Sequence, residues 1–387
     1  MPELQGLTVP EEPAPQRPEK NNQLTTLVIL IMILLGLLLF YWFLNRPPEA
    51  VTRRKAPGIT HVFSIYGIGR KDLLSHPNSV HVTDNGDFYV ADTGNNRVAV
   101  FNSRGRFKFE IANKKGTLKP GNLITPLGVT VDNKGRIYTA SFDSGLMVFD
   151  SQGKNIKQLP IQGTQLHTDG KLVYLAAPGS VYAFDEKMEI VRHIGSKGRK
   201  LGQFETPQDL LVTEEGNIVV SDSQNMRIQI FNKKGEVIAY KGEPPLALDD
   251  SDRLFGLGMG ISQDDLGRIY VADGFHHAIR IFSEEGDDLG EVGSQGDTDG
   301  LFNYPSDITY MGGNTFAVAD KWNDRIQILR INVEDARAPG EEAEEARIPI
   351  WAYVIGLLVL LALIALVIRR YLSRRAKPSF EPPSLPL

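Results

Sequence analysis

Apolar residues follow three rhythms along this chain. Two runs without a charge, residues 24–44 and 348–368, are 21 residues long each. A helix of that length covers a hydrocarbon core of roughly 30 Å, so both are predicted as transmembrane helices. Between the runs, apolar and polar residues alternate in short bursts such as Arg227-Ile228-Gln229-Ile230 and Arg325-Ile326-Gln327-Ile328. That period of two marks short strands with one buried face. Outside the runs there is no periodicity: residues 1–23 carry five prolines and four glutamates and are predicted to be disordered.

The alternating part repeats itself, and the repeat decides the fold class. One unit runs from Pro77 through Phe88-Tyr89-Val90-Ala91-Asp92, Asn95, Arg97-Val98-Ala99-Val100-Phe101 and a turn at Gly105. The same text returns from Pro207 (Ile218-Val219-Val220-Ser221-Asp222, Asn225, Arg227) and from Pro305 (Phe316-Ala317-Val318-Ala319-Asp320, Asn323, Arg325). Three weaker copies cover residues 126–153, 166–185 and 258–286, the middle one being the most eroded. The turn glycines Gly86, Gly135, Gly170, Gly216, Gly267 and Gly313 are 49, 35, 46, 51 and 46 residues apart. Units of that length hold four antiparallel strands. One such sheet cannot bury both faces by itself, whereas six stacked around an axis bury them all. The last copy stops after its third strand, so the segment 61–67 is expected to supply the missing outer strand and close the ring. The predicted fold is all-β, a six-bladed β-propeller over 60–331 flanked by two transmembrane α-helices. Residues 45–59 and 332–347 would be linkers, the second acidic, and 369–387 a basic and then Pro-rich tail.

These units resemble the NHL repeat, through the proline at the start of each unit, the Tyr89-Val90-Ala91-Asp92 strand, the Asp-x-x-Asn-x-Arg turn and the third strand Arg227 to Phe231. The resemblance covers about 70% of the chain, roughly residues 60–331. It implies six blades. It leaves the activity open, since such propellers serve as scaffolds, sensors, ligand binders and a few lyases.

Composition adds limits. Net charge is −5 with no cysteine, which argues against nucleic acid as a partner and removes disulfides and thiol chemistry. The first apolar run is long for a signal peptide and is followed by no small-residue cleavage site, so it reads as an uncleaved anchor. Tyr41 and Trp42 close it, and Trp351 and Tyr353 open the second run, as in interfacial belts. Five basic residues follow the second run and two precede it. On that asymmetry the expected topology is an integral membrane protein with both termini cytoplasmic and the propeller extracytoplasmic.

Candidate chemistry is sparse. The sets Asp92, Asn95, Arg97; Asp222, Asn225, Arg227; and Asp320, Asn323, Arg325 are repeat architecture: Asp accepts backbone N–H groups, Asn suits a left-handed turn, and Arg pairs with a carboxylate at the blade seam. His81 and His167 fall near innermost strands and are weak candidates for a metal site, which some lyases of this propeller type resemble. The adjacent His276 and His277 would diverge in a turn and not chelate. Ser79, Gly128, Asp209, Gly260 and Asp307 share the position that starts the inner strand, and so should ring one mouth of the channel, where a cation or polar ligand could enter. The acidic residues Asp249, Asp250 and Asp252 lack calcium-loop spacing. No phosphate loop, nucleophile elbow, H-E-x-x-H or paired-carboxylate signature occurs, so no catalytic residue and no cofactor is expected. The expected function is a membrane-tethered scaffold binding a protein or small ligand, with the lipid bilayer as a second partner. The alternative is a metal-dependent lyase or hydrolase acting in the channel.

Overall fold

The chain is described by a computed structural model, which places Gly36 and residues 58–112, 122–242, 258–284 and 286–336. Six four-stranded antiparallel sheets appear among these residues. In the first, Pro77–Val82, Phe88–Asp92, Arg97–Phe101 and Phe107–Ala112 follow one another from hub to rim. The next four blades repeat this order. Their inner strands are Gly128–Val131, Gln165–Thr168, Asp209–Val212 and Gly258–Gln263. The sixth is built from both ends of the propeller. Pro305–Tyr310, Thr315–Asp320 and Arg325–Ile331 are joined by Ile59–Ile65, which pairs Ile59 with Ile331 and Ile65 with Ile326.

The reason for stacking is visible in the core. Buried apolar side chains fall into six clusters, each between two neighbouring blades. Val90 and Ala99, for example, pack against Ala317 and Ile328 of the sixth blade, while Tyr89 and Val100 pack against Ile137 and Met147 of the second. Alternation thus sends one face of a blade to each neighbour, and no blade has a core of its own. The eroded third blade keeps this rule with Val173–Ala177, buried at every position.

One expectation is overturned. Among the described residues no helix is long and apolar enough to cross a membrane; the helical elements described between residues 58 and 336 are single 3₁₀ turns such as Thr93–Asn95 and Val333–Asp335. An integral membrane protein with two spans and an extracytoplasmic propeller is therefore not supported, nor is a bilayer held as partner through helices. An uncharged run of sufficient length satisfies a hydropathy rule without fixing a spanning helix. The runs 24–44 (Gly36 apart) and 348–368, the tails, the linker up to residue 57 and the acidic residues 249–252 lie outside the described residues.

Candidate functional site

The repeated polar set is a latch. Asp320 is fully buried; its Oδ1 accepts the Asn303 amide at 2.7 Å, and its Oδ2 accepts Asn323 at 2.8 Å, Arg325 Nε at 2.8 Å and Gln327 Nε2 at 3.0 Å. Arg325 also donates to the carbonyls of Thr298 and Leu301, on the segment arriving from the previous blade. Asp222 binds Asn225, Arg227 and Gln229 in the same way, and Asp92 binds Asn95 and Arg97. In these three blades the latch ties the strand turn to the chain entering the blade.

The left-handed residue of these turns is the one after the expected asparagine: Asn96, Met226, His277 and Asp324, with φ of 53, 52, 54 and 51°. Three of these side chains reach forward. Asn96 accepts the Thr125 amide, His277 Nδ1 accepts the Tyr304 amide and Asp324 accepts the His76 amide, each stitching its blade to the next. The histidine pair of the fifth blade thereby finds its explanation. His276 takes the asparagine's place on Asp273, whose carboxylate raises its pKa, while burial lowers that of His277.

At the hub, the five channel positions read from the repeat are joined by a sixth, Gln165. Its Nε2 donates to Ser79 Oγ at 2.9 Å and to Asp307 Oδ2 at 3.1 Å, crossing from the third blade to the first and sixth. Asp307 further accepts the amides of Val80 and Ile308, and Asp209 those of Leu210 and Ile261. Both carboxyl groups are buried. Desolvation pushes Asp307 up to about 7, and Asp209 lies well above the carboxylate range through desolvation and the nearby Asp307. The glycines make room for this meeting. A Cβ at Gly128 would sit 2.3 Å from Gln165 Oε1 and 2.7 Å from its Cα, and one at Gly260 would sit 2.5 Å from the Asp307 Cα. Gly128→Ala is accordingly expected to lower stability by about 1–3 kcal/mol, measurable as a lower midpoint in urea unfolding.

Above this floor lies a cavity of about 550 Å³. Its next tier holds His81, Thr130, His167, Ser262 and Thr309, two residues further along the inner strands. Burial pushes both histidines down to about 4, so at neutral pH they are uncharged imidazoles. His81 Nδ1 lies 3.4 Å from Thr130 Oγ1. The structure brings His81 and His167 to one cavity, yet among the described residues no group of three His, Cys, Asp or Glu is arranged to hold a metal ion.

The turns between second and third strands share an end of the blades with the hub floor. On the fifth and sixth blades they carry aromatics. Tyr304 stacks on Trp322 with centroids 4.5 Å apart and meets the edge of Phe275 at 5.8 Å. Lys321 Nζ lies 5.6 Å from the Tyr304 centroid. Phe275 is 58% and Trp322 50% exposed, although both are large and apolar.

Residues 74–101 match the NHL repeat. Over 138 residues, 34% of this chain, the sequence is 28% identical to the human E3 ubiquitin-protein ligase TRIM32, covering 20% of that protein. Over half of this chain it is 22% identical to the Drosophila melanogaster protein brain tumor, covering 15% of it. The matched part thus spans about a fifth or less of these relatives. A solved structural-genomics protein of unknown function from Bacteroides thetaiotaomicron superposes with a TM-score of 0.52 at 19% identity, over 71% of this chain and 76% of that one; this shows the fold alone.

Proposed function

We propose that this chain, whose NHL repeat and six closed blades support membership of the NHL propeller family, works as a scaffold that binds a protein partner. The observation that carries this reading is the aromatic surface of Phe275, Tyr304 and Trp322. Large aromatics stacked on one another lose little side-chain entropy on binding and dominate interface energies. Other large apolar side chains are exposed too, Leu266 and Ile238 among them, but Phe275 and Trp322 are set apart by packing as rings on either side of Tyr304. The polar sets at the neighbouring turns are consumed by latches, which leaves recognition to the side chains projecting beyond them. A module filling a fifth or less of larger relatives also suits a recognition part joined to others.

The test is crosslinking from the native chain with identification of the captured protein. Trp322→Ala combined with Phe275→Ala is expected to reduce the specific adduct at least about tenfold, since two central aromatics together exceed 1.4 kcal/mol. Ile238→Ala, on the outer strand of the fourth blade, should leave it unchanged. Equal capture by the double variant, or capture lost equally with Ile238→Ala, would reject the assignment of this surface.

A further inference from the structure

We propose that the channel cavity is a binding site for a linear organic polycation of the alkylpolyamine class, lying along the propeller axis between the buried Asp209–Asp307 floor and the acidic mouth. Its mouth opens at the opposite end of the inner strands from the aromatic surface, and the site does not depend on a protein partner.

Three observations converge. First, the charge is one-sided: carboxyl groups stand at the floor (Asp209, Asp307) and around the mouth (Glu214, Glu215, Asp265, Glu284), while no lysine or arginine lines the cavity. A cleft with low-dielectric walls and one sign of charge concentrates the opposite ion. Second, the acceptors are layered. Floor and imidazole tier are two residues apart on each inner strand, about 7 Å at the strand rise, and the mouth glutamates stand beyond them in the turn that follows Val212. Nitrogens strung along a flexible methylene chain can reach successive layers of acceptors, whereas one metal ion would meet a single layer. Third, the middle tier is made to accept. A neutral imidazole offers one ring nitrogen as acceptor, which an ammonium N–H can use and an anion cannot. Among the described residues the His167 ring has no hydrogen-bond partner, and His81 has one long contact to Thr130.

The floor is also prepared for a cation. The Asp307 and Asp209 oxygens already accept backbone amides from four blades, so their positions are fixed before a ligand arrives. An ammonium placed between the two carboxyl groups would favour the charged form that burial otherwise disfavours, displacing a proton from the floor. Glu214 and Glu215 are exposed at the mouth and would steer it inward.

Isothermal titration of the purified full-length chain with spermidine tests this, with n-butylamine and 1,4-butanediol as probes of charge number and CaCl₂ and ZnCl₂ as rival cations. Spermidine is expected to bind at one per chain, at least about tenfold more tightly than butylamine, with no heat from the diol. Glu214→Gln with Glu215→Gln, both at the surface, should weaken spermidine several-fold and flatten its salt dependence, and Asp307→Asn should weaken it at least about tenfold. His167→Leu, which keeps volume but removes the acceptor, should also weaken it while thermal unfolding confirms a folded ring. Absence of spermidine binding up to about 10 mM, equal binding of diol and amine, unchanged affinity in the mouth variant, or binding of Ca²⁺ or Zn²⁺ in place of spermidine would each overturn the proposal.

Discussion

Replacing Asp320 with alanine is expected to cost about 3–5 kcal/mol, the range for stranding a buried charge. Four donors converge on this carboxylate, and two of them cannot turn to water: Arg325 is 3% exposed and Gln327 fully buried. The carbonyls of Thr298 and Leu301 keep part of the guanidinium satisfied but cannot balance its charge. Position makes the loss worse. The sixth blade is the one whose outer strand, Ile59–Ile65, comes from the far end of the propeller, so loosening its turn loosens the closure of the ring. The equivalent Asp222→Ala should follow closely, because Arg227 and Gln229 repeat the arrangement. In the second blade Ser141 stands in the aspartate's place and its hydroxyl serves the Ile124 carbonyl and the amides of Asp143 and Ser144, with no buried charge to strand. Ser141→Ala should therefore cost about 1 kcal/mol. Urea unfolding of the three variants measures the order. Equal losses at Asp320 and Ser141 would show that the latch is not what holds the blades.

The blades were legible because a sheet that must bury both faces between neighbours forces alternation into every strand, and the tight turns force glycine between them. That logic placed the outer strand from the front of the propeller beside Arg325–Ile331, where the structure has it. The repeat also put five of the six hub residues at one level of the inner strands, but as a channel mouth, whereas the structure buries them as a floor. Gln165 escaped because the third blade lacks the proline that marks where an inner strand begins, and because a glutamine reaching across the axis leaves no periodic trace. The histidine pair was legible as unusual, not as a substitute for two asparagine-like roles, since those roles depend on which neighbouring amide each ring meets. The aromatic surface was invisible for a related reason. Phe275 and Trp322 share one repeat position, where the first and fourth blades have Gly94 and Gln224, so the repeat itself does not mark it as aromatic; Tyr304 precedes an inner strand, and only the stacking of the fifth blade on the sixth brings the three together. The buried anchors Phe204 and Phe302 had a signal that went unread: Gly202-Gln203-Phe204 and Gly300-Leu301-Phe302 both precede a proline and a hub aspartate, and each phenylalanine is fully buried. The two long apolar runs gave the strongest signal along the chain and the least secure inference, because length and hydropathy describe a composition and a spanning helix is a structure.

Asp307→Asn should change how stability depends on pH more than it changes stability at any one pH. Burial raises the Asp307 carboxyl to about 7 against an ordinary value near 3.8. Between those values the folded state holds a proton that the unfolded chain releases, so its contribution to stability is complete below about pH 4 and is lost as pH rises through about 7. His81 and His167 oppose it. Their folded values near 4 lie below 6.5, so the unfolded chain binds protons that the folded hub refuses, and their contribution is complete above about pH 6.5 and lost as pH falls toward 4. Each proton difference is worth about 1.4 kcal/mol per pH unit. Floor and imidazole tier therefore flatten one another's slopes over the same window, and the native hub should be nearly indifferent to pH across it. Asparagine removes only the carboxyl side. It also turns one acceptor into a donor facing the Val80 or Ile308 amide, a loss of about 1–3 kcal/mol that does not vary with pH. The variant's unfolding free energy relative to the native chain should rise steadily from pH 4 to pH 7 and then level off. Conversely, His81→Leu should give a relative stability that falls from pH 4 to pH 6.5. Urea unfolding at half-unit intervals resolves both, and parallel profiles for native and Asp307→Asn chains would mean that the hub carboxyls titrate as ordinary surface acids.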